Sequence, residues 1–597
     1  MHEDPRPMPD DATEIMASVP AAPAHDVVDM PANGGAATIA ALPAGEATAA
    51  RRRWIAAAVV TAIVLGAAVL AASLLAARNS PEALGYVPAN AVLVAEIRPE
   101  LPGDQRARLG TFLAHFPGFK DQANLDQKID ETLALLLDRA SGGEVDYLAD
   151  LKPWLDGPAY IALLGVPSAA DAIPALLAVL TTDGSVGCAD LATGETTTES
   201  YDGHELTLAA SSRGPATACA VDGRFGIIGD AGSVRAALDA KRDGDGVVTT
   251  DRFRAAQSAL AEDRLASLVV DVEAIVEALR NVDPAMSTAL GVLSTGALPD
   301  WLAVSLRAEG DALVVTVLAP DGPTPDGAPM PGPARVSDIA ARLPATTIAA
   351  LEAHDVGQGL AAALLAARAS PEAAAMLEQI EQAAALLGGL DGLTGWIGDL
   401  AVVVTLDGAE LNGGLVIQAT DAVAAQGMMD SIQNLLVLAG TGGDITIDQV
   451  DHDGTTITVV DLGDLSSLLG DLGGLGLPAD PSASTPAILA WAVRDDLVVF
   501  GIGEAFVASV LDVREGASLA DEERYQTAIA QAGATNNGQG YLDLAAVIAF
   551  VGAQLTGSEA DSWATDIEPW LAPLDGVAFT SSRNDGLMTS RFVVTVR

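Results

Sequence analysis

Along this chain the pattern of apolar and polar positions changes character twice. Residues 1–50 are rich in Pro, Ala, Asp and Glu and carry no apolar period. They bury too little surface to fold alone, so a disordered acidic tail is expected. From Trp54 to Ala77 there are 24 residues without a charge, closed by Arg51, Arg52 and Arg53 on one side and by Arg78 on the other. At about 1.5 Å per residue, such a run crosses a roughly 30 Å hydrocarbon core as one helix. Beyond it the pattern breaks into short segments. Alternating or continuous apolar runs bounded by Gly, Asp and Asn predict strands at 158–166, 175–182, 401–406 and 415–420. Arg494-Asp495-Asp496 and Asn584-Asp585-Gly586 predict hairpin turns, because Asp, Asn and Gly tolerate left-handed backbone. Helical spacing marks 124–138, 233–240, 357–387 and 504–513. The strands fall in adjacent pairs, which predicts antiparallel sheet with flanking helices.

The same segments recur. Pro88-Ala-Asn-Ala-Val-Leu-Val-Ala-Glu96 matches Pro344-Ala-Thr-Thr-Ile-Ala-Ala-Leu-Glu352 at an offset of 256. Trp154-Leu-Asp-Gly-Pro-Ala-Tyr-Ile-Ala matches Trp396-Ile-Gly-Asp-Leu-Ala-Val-Val-Val at 242, and Cys219–Gly229 matches Trp491–Gly501 at 272. The last offset runs on without a gap, placing Phe253 on Tyr525, Asp271 on Asp543 and Ala274 on Ala546. Each half also closes on a hairpin-like pattern, Trp301–Leu318 and Gly576–Val596, and four matches in one order point to one design used twice. Residues 320–333 hold six Pro and three Gly, the composition of a linker. The predicted fold class is therefore α+β: a single transmembrane helix, then two duplicated domains of mainly antiparallel sheet with flanking helices. The expected organisation is a tail at 1–50, a transmembrane signal-anchor at 51–78, a first repeat at 82–319, a linker at 320–335 and a second repeat at 336–597.

With the repeat in view, Leu84-Gly-Tyr-Val-Pro-Ala-Asn-Ala-Val-Leu-Val-Ala-Glu-Ile-Arg-Pro99, Leu113-Ala-His-Phe-Pro-Gly-Phe119 and Val145-Asp-Tyr-Leu-Ala-Asp-Leu-Lys-Pro-Trp-Leu155 are informative. Together they resemble the bacterial family of domain of unknown function 3352. The resemblance covers most of the chain after the apolar run and implies a membrane-anchored envelope protein without an established activity. It supplies no catalytic residue. The chain departs from its own second half at 181–200, where the helix expected from 421–438 is short and Gly-broken.

Charge sets direction and excludes partners. Basic residues stay cytoplasmic, so Arg51–Arg53 place the N-terminus inside and the body outside a cell membrane crossed once. A cleaved signal peptide would have an apolar core of only about 7–15 residues. The chain carries 80 acidic and 31 basic residues, a net charge of −49, which phosphate backbones repel; nucleic acid is excluded as a partner. The acidity reads as a solvated surface or as adaptation to high salt. Cys188 and Cys219 are the only two cysteines. In an oxidising compartment they permit a disulfide, and the alternative is two buried small hydrophobes.

Reactive constellations are lacking at the sequence level. The six His are scattered without ligand spacing, so zinc is not expected. Asp448, Asp451 and Asp453 before Gly454 resemble a calcium loop but lack its full ligand set, and Asp243 and Asp245 form an equally weak pair. No Gly-x-Ser-x-Gly elbow, Ser-x-x-Lys or phosphate loop follows a strand. Asp271 and Asp543 read as helix caps. Residues 461–478, with seven Leu and five Gly, form an insertion that either covers the protein's own core or meets a groove, partner or lipid. No catalytic, cofactor or metal residue is assigned. The expected function is non-enzymatic binding or scaffolding of an envelope protein, and the alternative is a carrier of a lipid or other apolar ligand.

Overall fold

The computed structural model describes residues 82–597, apart from 99–102, 122–124, 126, 129, 132–133, 135–147, 149–151, 166–174, 192–194, 210–216, 283–297, 322–331, 370–376, 378–380, 383, 440–444 and 465–485. The tail at 1–50 and the apolar span at 51–78, with Arg51, Arg52 and Arg53, lie outside the described residues. So do much of the helix expected at 124–138 and residues 322–331 of the linker. No helix among the described residues is long and apolar enough to cross a membrane.

Among the described residues each half contributes ten strands. The first half has β1 (Ala91–Ile97), β2 (Ala159–Leu164), β3 (Leu176–Thr181), β4 (Thr196–Tyr201), β5 (His204–Ala209), β6 (Thr217–Asp222), β7 (Phe225–Asp230), β8 (Ala266–Asp271), β9 (Trp301–Glu309) and β10 (Ala312–Pro320). The second has β11 (Thr347–Ala353), β12 (Ile397–Asp407), β13 (Glu410–Ala419), β14 (Thr446–His452), β15 (Thr455–Asp464), β16 (Pro486–Arg494), β17 (Leu497–Ile502), β18 (Gly538–Asp543), β19 (Leu574–Asn584) and β20 (Leu587–Val596). Helices α1 (Gln105–Leu113), α2 (Ala231–Asp243), α3 (Asp251–Ala259) and α4 (Val272–Val282) belong to the first half. Helices α5 (Val356–Ala369), α6 (Ala422–Ala439), α7 (Glu504–Leu511), α8 (Glu523–Ala532) and α9 (Leu544–Gln554) belong to the second.

The first half orders its strands β4-β5-β6-β7-β3-β2-β1-β8-β9-β10, all antiparallel. The second half orders β14-β15-β16-β17-β13-β12-β11-β18-β19-β20 in the same way. Registers repeat as well as order. Leu93 faces Val270, and Ala349 faces Leu542; Asp222 faces Phe225, and Arg494 faces Leu497. Both first strands carry an irregularity at the same place, between Ala91 and Leu93 and between Thr347 and Ala349.

The structure moves one sequence match. Ala95 pairs with Ile161 and Leu351 with Val402, so β2 aligns with β12 at an offset of 241, not 242. One residue fewer separates Trp396 from its strand than separates Trp154 from β2. Side chains alternate across a strand, so this single residue decides which face each one takes. Tyr160 and Ala401 accordingly face inward, while Ile161 and Val402 are exposed.

The two sets form one sheet, because β10 pairs with β20 from Ala312↔Thr595 to Pro320↔Leu587. The β9–β10 and β19–β20 hairpins align Ala312 with Leu587, an offset of 275. That offset carries Thr316 onto its own partner, Arg591, so the seam register has local two-fold symmetry about this pair. The expected boundary between repeats is therefore crossed by a hydrogen-bonded ladder.

Alternation sends successive residues of each strand to opposite faces. On one face α2 and α3 cover Ala218, Ala220, Ile227 and Ala303, and α7 and α8 cover Val416, Val499, Ala490 and Ala578. On the other face Leu109 and Phe112 of α1 share a core with Leu306, Ile548, Val551 and Val596, drawing on both halves. Asp495 and Asp585 take left-handed φ of 55° and 53°, as the hairpin reading required. The 461–478 segment differs from expectation at its start, because β15 runs on to Asp464 and Asp464 pairs with Pro486.

In the second half α6 lays Met428 and Met429 against Trp491. In the first half the equivalent residue is Cys219, and a short 3-10 turn, Cys188–Leu191, stands where that helix would be. Cys188 and Cys219 are bonded, with Cα atoms 5.5 Å apart, and Trp154, Ala159 and Leu180 pack around them. The bridge ties down a segment too small to hold itself by burial. The denatured, unreduced protein is accordingly expected to resist thiol labelling. Cys188→Ala should cost about 3 kcal/mol in denaturant unfolding, the value typical for closing such a loop.

Candidate functional site

An apolar strand with one inward carboxylate occurs in each half. Glu96 of β1 and Glu352 of β11 occupy the same repeat position and face a core, each about 3% exposed. A buried carboxylate is stable only if its charge is compensated or removed. The two halves do this differently.

In the first half Glu96 is surrounded by cations. Arg264 donates from Nη2 at 2.5 Å and Nε at 3.0 Å to Oε2, which also accepts from Ser267 at 3.0 Å. Arg98 Nε at 3.1 Å and the Tyr160 hydroxyl at 3.3 Å serve Oε1. The guanidiniums are finished by the carbonyls of Glu262 and Ala261, at 2.6 and 2.9 Å. Burial pushes the Glu96 carboxyl up, but Arg264 and Arg98 outweigh it and hold the group below the usual range. A concavity of about 400 Å³ walled by Leu84, Phe253 and Leu260 reaches this cluster.

In the second half the cations are gone. The repeat offsets place His354 at the position of Arg98, Asn536 at that of Arg264, Gln539 at that of Ser267 and Tyr525 at that of Phe253. Glu352 Oε2 accepts from Ser337 Oγ and from Gln539 Nε2, the latter at 3.2 Å. Asn536 donates to Gln539 Oε1 at 2.9 Å. Glu352 Oε1, Asn536 Oδ1 and both ring nitrogens of His354 have no hydrogen-bond partner among the described residues. Burial, with a contribution from Asp399, pushes the Glu352 carboxyl up to about 7, against the pull of the Ser337 and Gln539 bonds. Burial lowers His354, and Arg335 adds to that, while Asp399 and Asp355 oppose it. Arg335 itself is committed to Asp355 at 3.0 Å and to Asp399 at 2.5 Å.

A carboxyl drawn up and an imidazole drawn down, two residues apart at the end of β11, is the pairing that acid–base sites use. Here both side chains are buried, at 3% and 9% exposure, so substrate has no approach through the described surface. Burial favours the uncharged, protonated form of Glu352.

Of the residues singled out in the sequence, Cys188 and Cys219 are brought together, and Asp271 and Asp543 are helix caps. Asp271 accepts from the Ala274 amide at 3.0 Å and Asp543 from that of Ala546 at 2.7 Å. Each also pairs with the equivalent arginine, Arg252 at 3.0 Å and Arg524 at 3.2 Å. Asp453 and Gly454 form the β14–β15 turn at φ 50° and 83°. Asp243 closes α2 ahead of the left-handed Gly244. No group of three or more His, Cys, Asp or Glu able to hold a metal occurs among the described residues. Glu352 and His354 were missed because their significance is relative: only beside Glu96 and Arg98 does the loss of charge stand out.

The comparisons agree with the repeat motifs. A family model described as "Protein of unknown function (DUF3352)" matches residues 54–596. The chain belongs to the DUF3352 family. No curated protein matches it. Among solved structures, crystal form I of TP0453 is similar at 11% identity over 42% of this chain and 82% of that one, with a TM-score of 0.23. Crystal form III matches at 11% over 41% and 81%, with a TM-score of 0.21. Likeness at that level carries no inference for this DUF3352 member.

The Glu352 site makes a signed prediction. An acid whose pKa rises from 4.5 to about 7 on folding keeps a proton that the unfolded chain has lost between those values. Stability therefore falls as pH rises through that window and stays low above it. Glu352→Gln should raise unfolding free energy at pH 8 by up to about 3 kcal/mol and change little at pH 4. His354 has the opposite sign, losing stability as pH falls below about 6.5, so the two must be separated with single variants.

Proposed function

We propose that this DUF3352 protein is a single-pass, membrane-anchored envelope protein whose extracytoplasmic body binds or scaffolds a partner without catalysis. In this reading Trp54–Ala77 is the anchor, Arg51, Arg52 and Arg53 keep the N-terminus cytoplasmic, and the body is one fold used twice, at 82–319 and 336–597. The carrying observation is the unbroken sheet through β10 and β20, a broad surface with helices packed over its buried clusters. The Cys188–Cys219 bridge suits an oxidising compartment. Three of the best-formed concavities among the described residues have charged walls, which favours scaffolding over enclosure of an apolar molecule.

The second reading is a carrier of a lipid or other apolar ligand. It draws on the exposed cross-strand pair Leu351 and Val402, 56% and 49% exposed, and on Ile161 at the first-half position of Val402. Two measurements test the reading. Protease added outside spheroplasts should digest the body and spare residues 1–50; protection of the body would invert the topology. Protein purified from detergent-solubilised membranes should bring down a protein partner, whereas a stoichiometric extractable lipid would favour the carrier.

A further inference from the structure

The two halves differ at a second equivalent place, beside the first 3-10 turn of each repeat, Ala83–Tyr86 and Ile339–Arg342. In the first half the site is closed on itself. The Tyr86 hydroxyl donates to Asp222 at 2.8 Å, Lys241 Nζ lies 5.0 Å from the Tyr86 ring centroid, and Arg242 is held by Asp202, Asp239 and Asp243. Arg242 is matched by carboxylates, Asp222 by a hydroxyl and Lys241 by an aromatic face. The repeat offsets put Arg342 where Tyr86 stands, Arg494 where Asp222 stands, and Arg514 where Arg242 stands. A hydrogen-bonded Tyr–Asp pair is thus replaced by two guanidiniums with a third beside them.

These three arginines line one concavity of about 350 Å³. Arg494 spends Nη1 on the Leu511 carbonyl at 2.6 Å. Arg342 has its carboxylate neighbour, Asp496, at 3.9 Å, beyond hydrogen-bond distance. Two acidic residues share the wall, but Asp521 is occupied by the Ser518 amide at 3.0 Å and hydroxyl at 2.5 Å, leaving Glu515. The floor is apolar, with Leu497 and Val510 buried. In a chain of net charge −49 the long-range field repels anions. An anion site therefore has to be built from close contacts, and three arginines lining one concavity can supply them.

We propose that this concavity binds a phosphate group, held by Arg342, Arg494 and Arg514 above the Leu497–Val510 floor. Guanidiniums arriving from three different elements match an anion with three or more acceptor oxygens better than a two-oxygen carboxylate. The cavity exceeds a lone phosphate in size, so the group is part of a larger molecule, either a soluble phosphate ester or a phospholipid head. The site does not depend on the anchored-scaffold reading.

Isothermal titration of the full chain in neutral detergent tests it, with inorganic phosphate in one arm and a short-chain phosphatidylglycerol in the other. Saturable binding is expected. Lipid binding at least tenfold tighter than phosphate assigns a lipid head with the floor engaged, and comparable affinities assign a soluble phosphate. Arg342→Gln with Arg514→Gln should weaken binding at least tenfold. Arg342→Tyr with Arg494→Asp installs the first half's closed pair and should abolish binding while circular dichroism stays unchanged. Arg368→Gln, on α5 and paired with Glu381, should leave binding as in the parent. No saturable heat with either probe, or parental affinity in a folded double variant, overturns the proposal.

Discussion

The ladder between β10 and β20 is the interaction on which the rest of the structure depends. A sheet edge exposes a row of unpaired amides and carbonyls that invites association with other chains. Each ten-strand set would expose such an edge on its last strand, β10 or β20, where Val314 and Val593 pair across the seam and are fully buried. Joining the two removes both edges. The outer edges that remain, β4 and β14, carry Thr, Glu, Asp, Gln and His, polar residues that discourage further pairing. The seam also places α1 of the first half and α9 of the second in one shared apolar cluster.

Within that frame, repetition of backbone left side chains free to diverge in charge. Glu96 and Glu352 occupy one position in one fold, yet one sits between two guanidiniums and the other among amides and hydroxyls. Removing cations from around a buried carboxylate without removing the carboxylate turns a compensated ion into a proton trap. The same kind of divergence, with the sign reversed, separates Tyr86–Asp222 from Arg342–Arg494. In both places the equivalent residues of the two halves differ in charge: Arg98 and Arg264 give way to His354 and Asn536, and Tyr86 and Asp222 to Arg342 and Arg494.

The Cys188–Cys219 bridge shows the converse trade. Where the second half has an 18-residue helix laying methionines on Trp491, the first has a four-residue turn and a disulfide. Covalent closure of the loop stands in for apolar area that the shortened segment does not have.

Much of this was legible in the chain itself. Period-two runs and turn residues specified antiparallel strands, because alternation and left-handed propensity are properties of each residue and its immediate neighbours. Asp271 and Asp543 could be read as caps for the same reason. Recurrence of Pro88–Glu96 at Pro344–Glu352 exposed the repeat. What the chain did not disclose is non-local. The one-residue correction at Trp396 depends on which strand lies opposite, and the β10–β20 seam depends on two segments about 275 residues apart meeting in register. The Glu352 proton trap and the arginine concavity are likewise set by which side chains converge, since burial and the distance between charges exist only once distant segments are packed together.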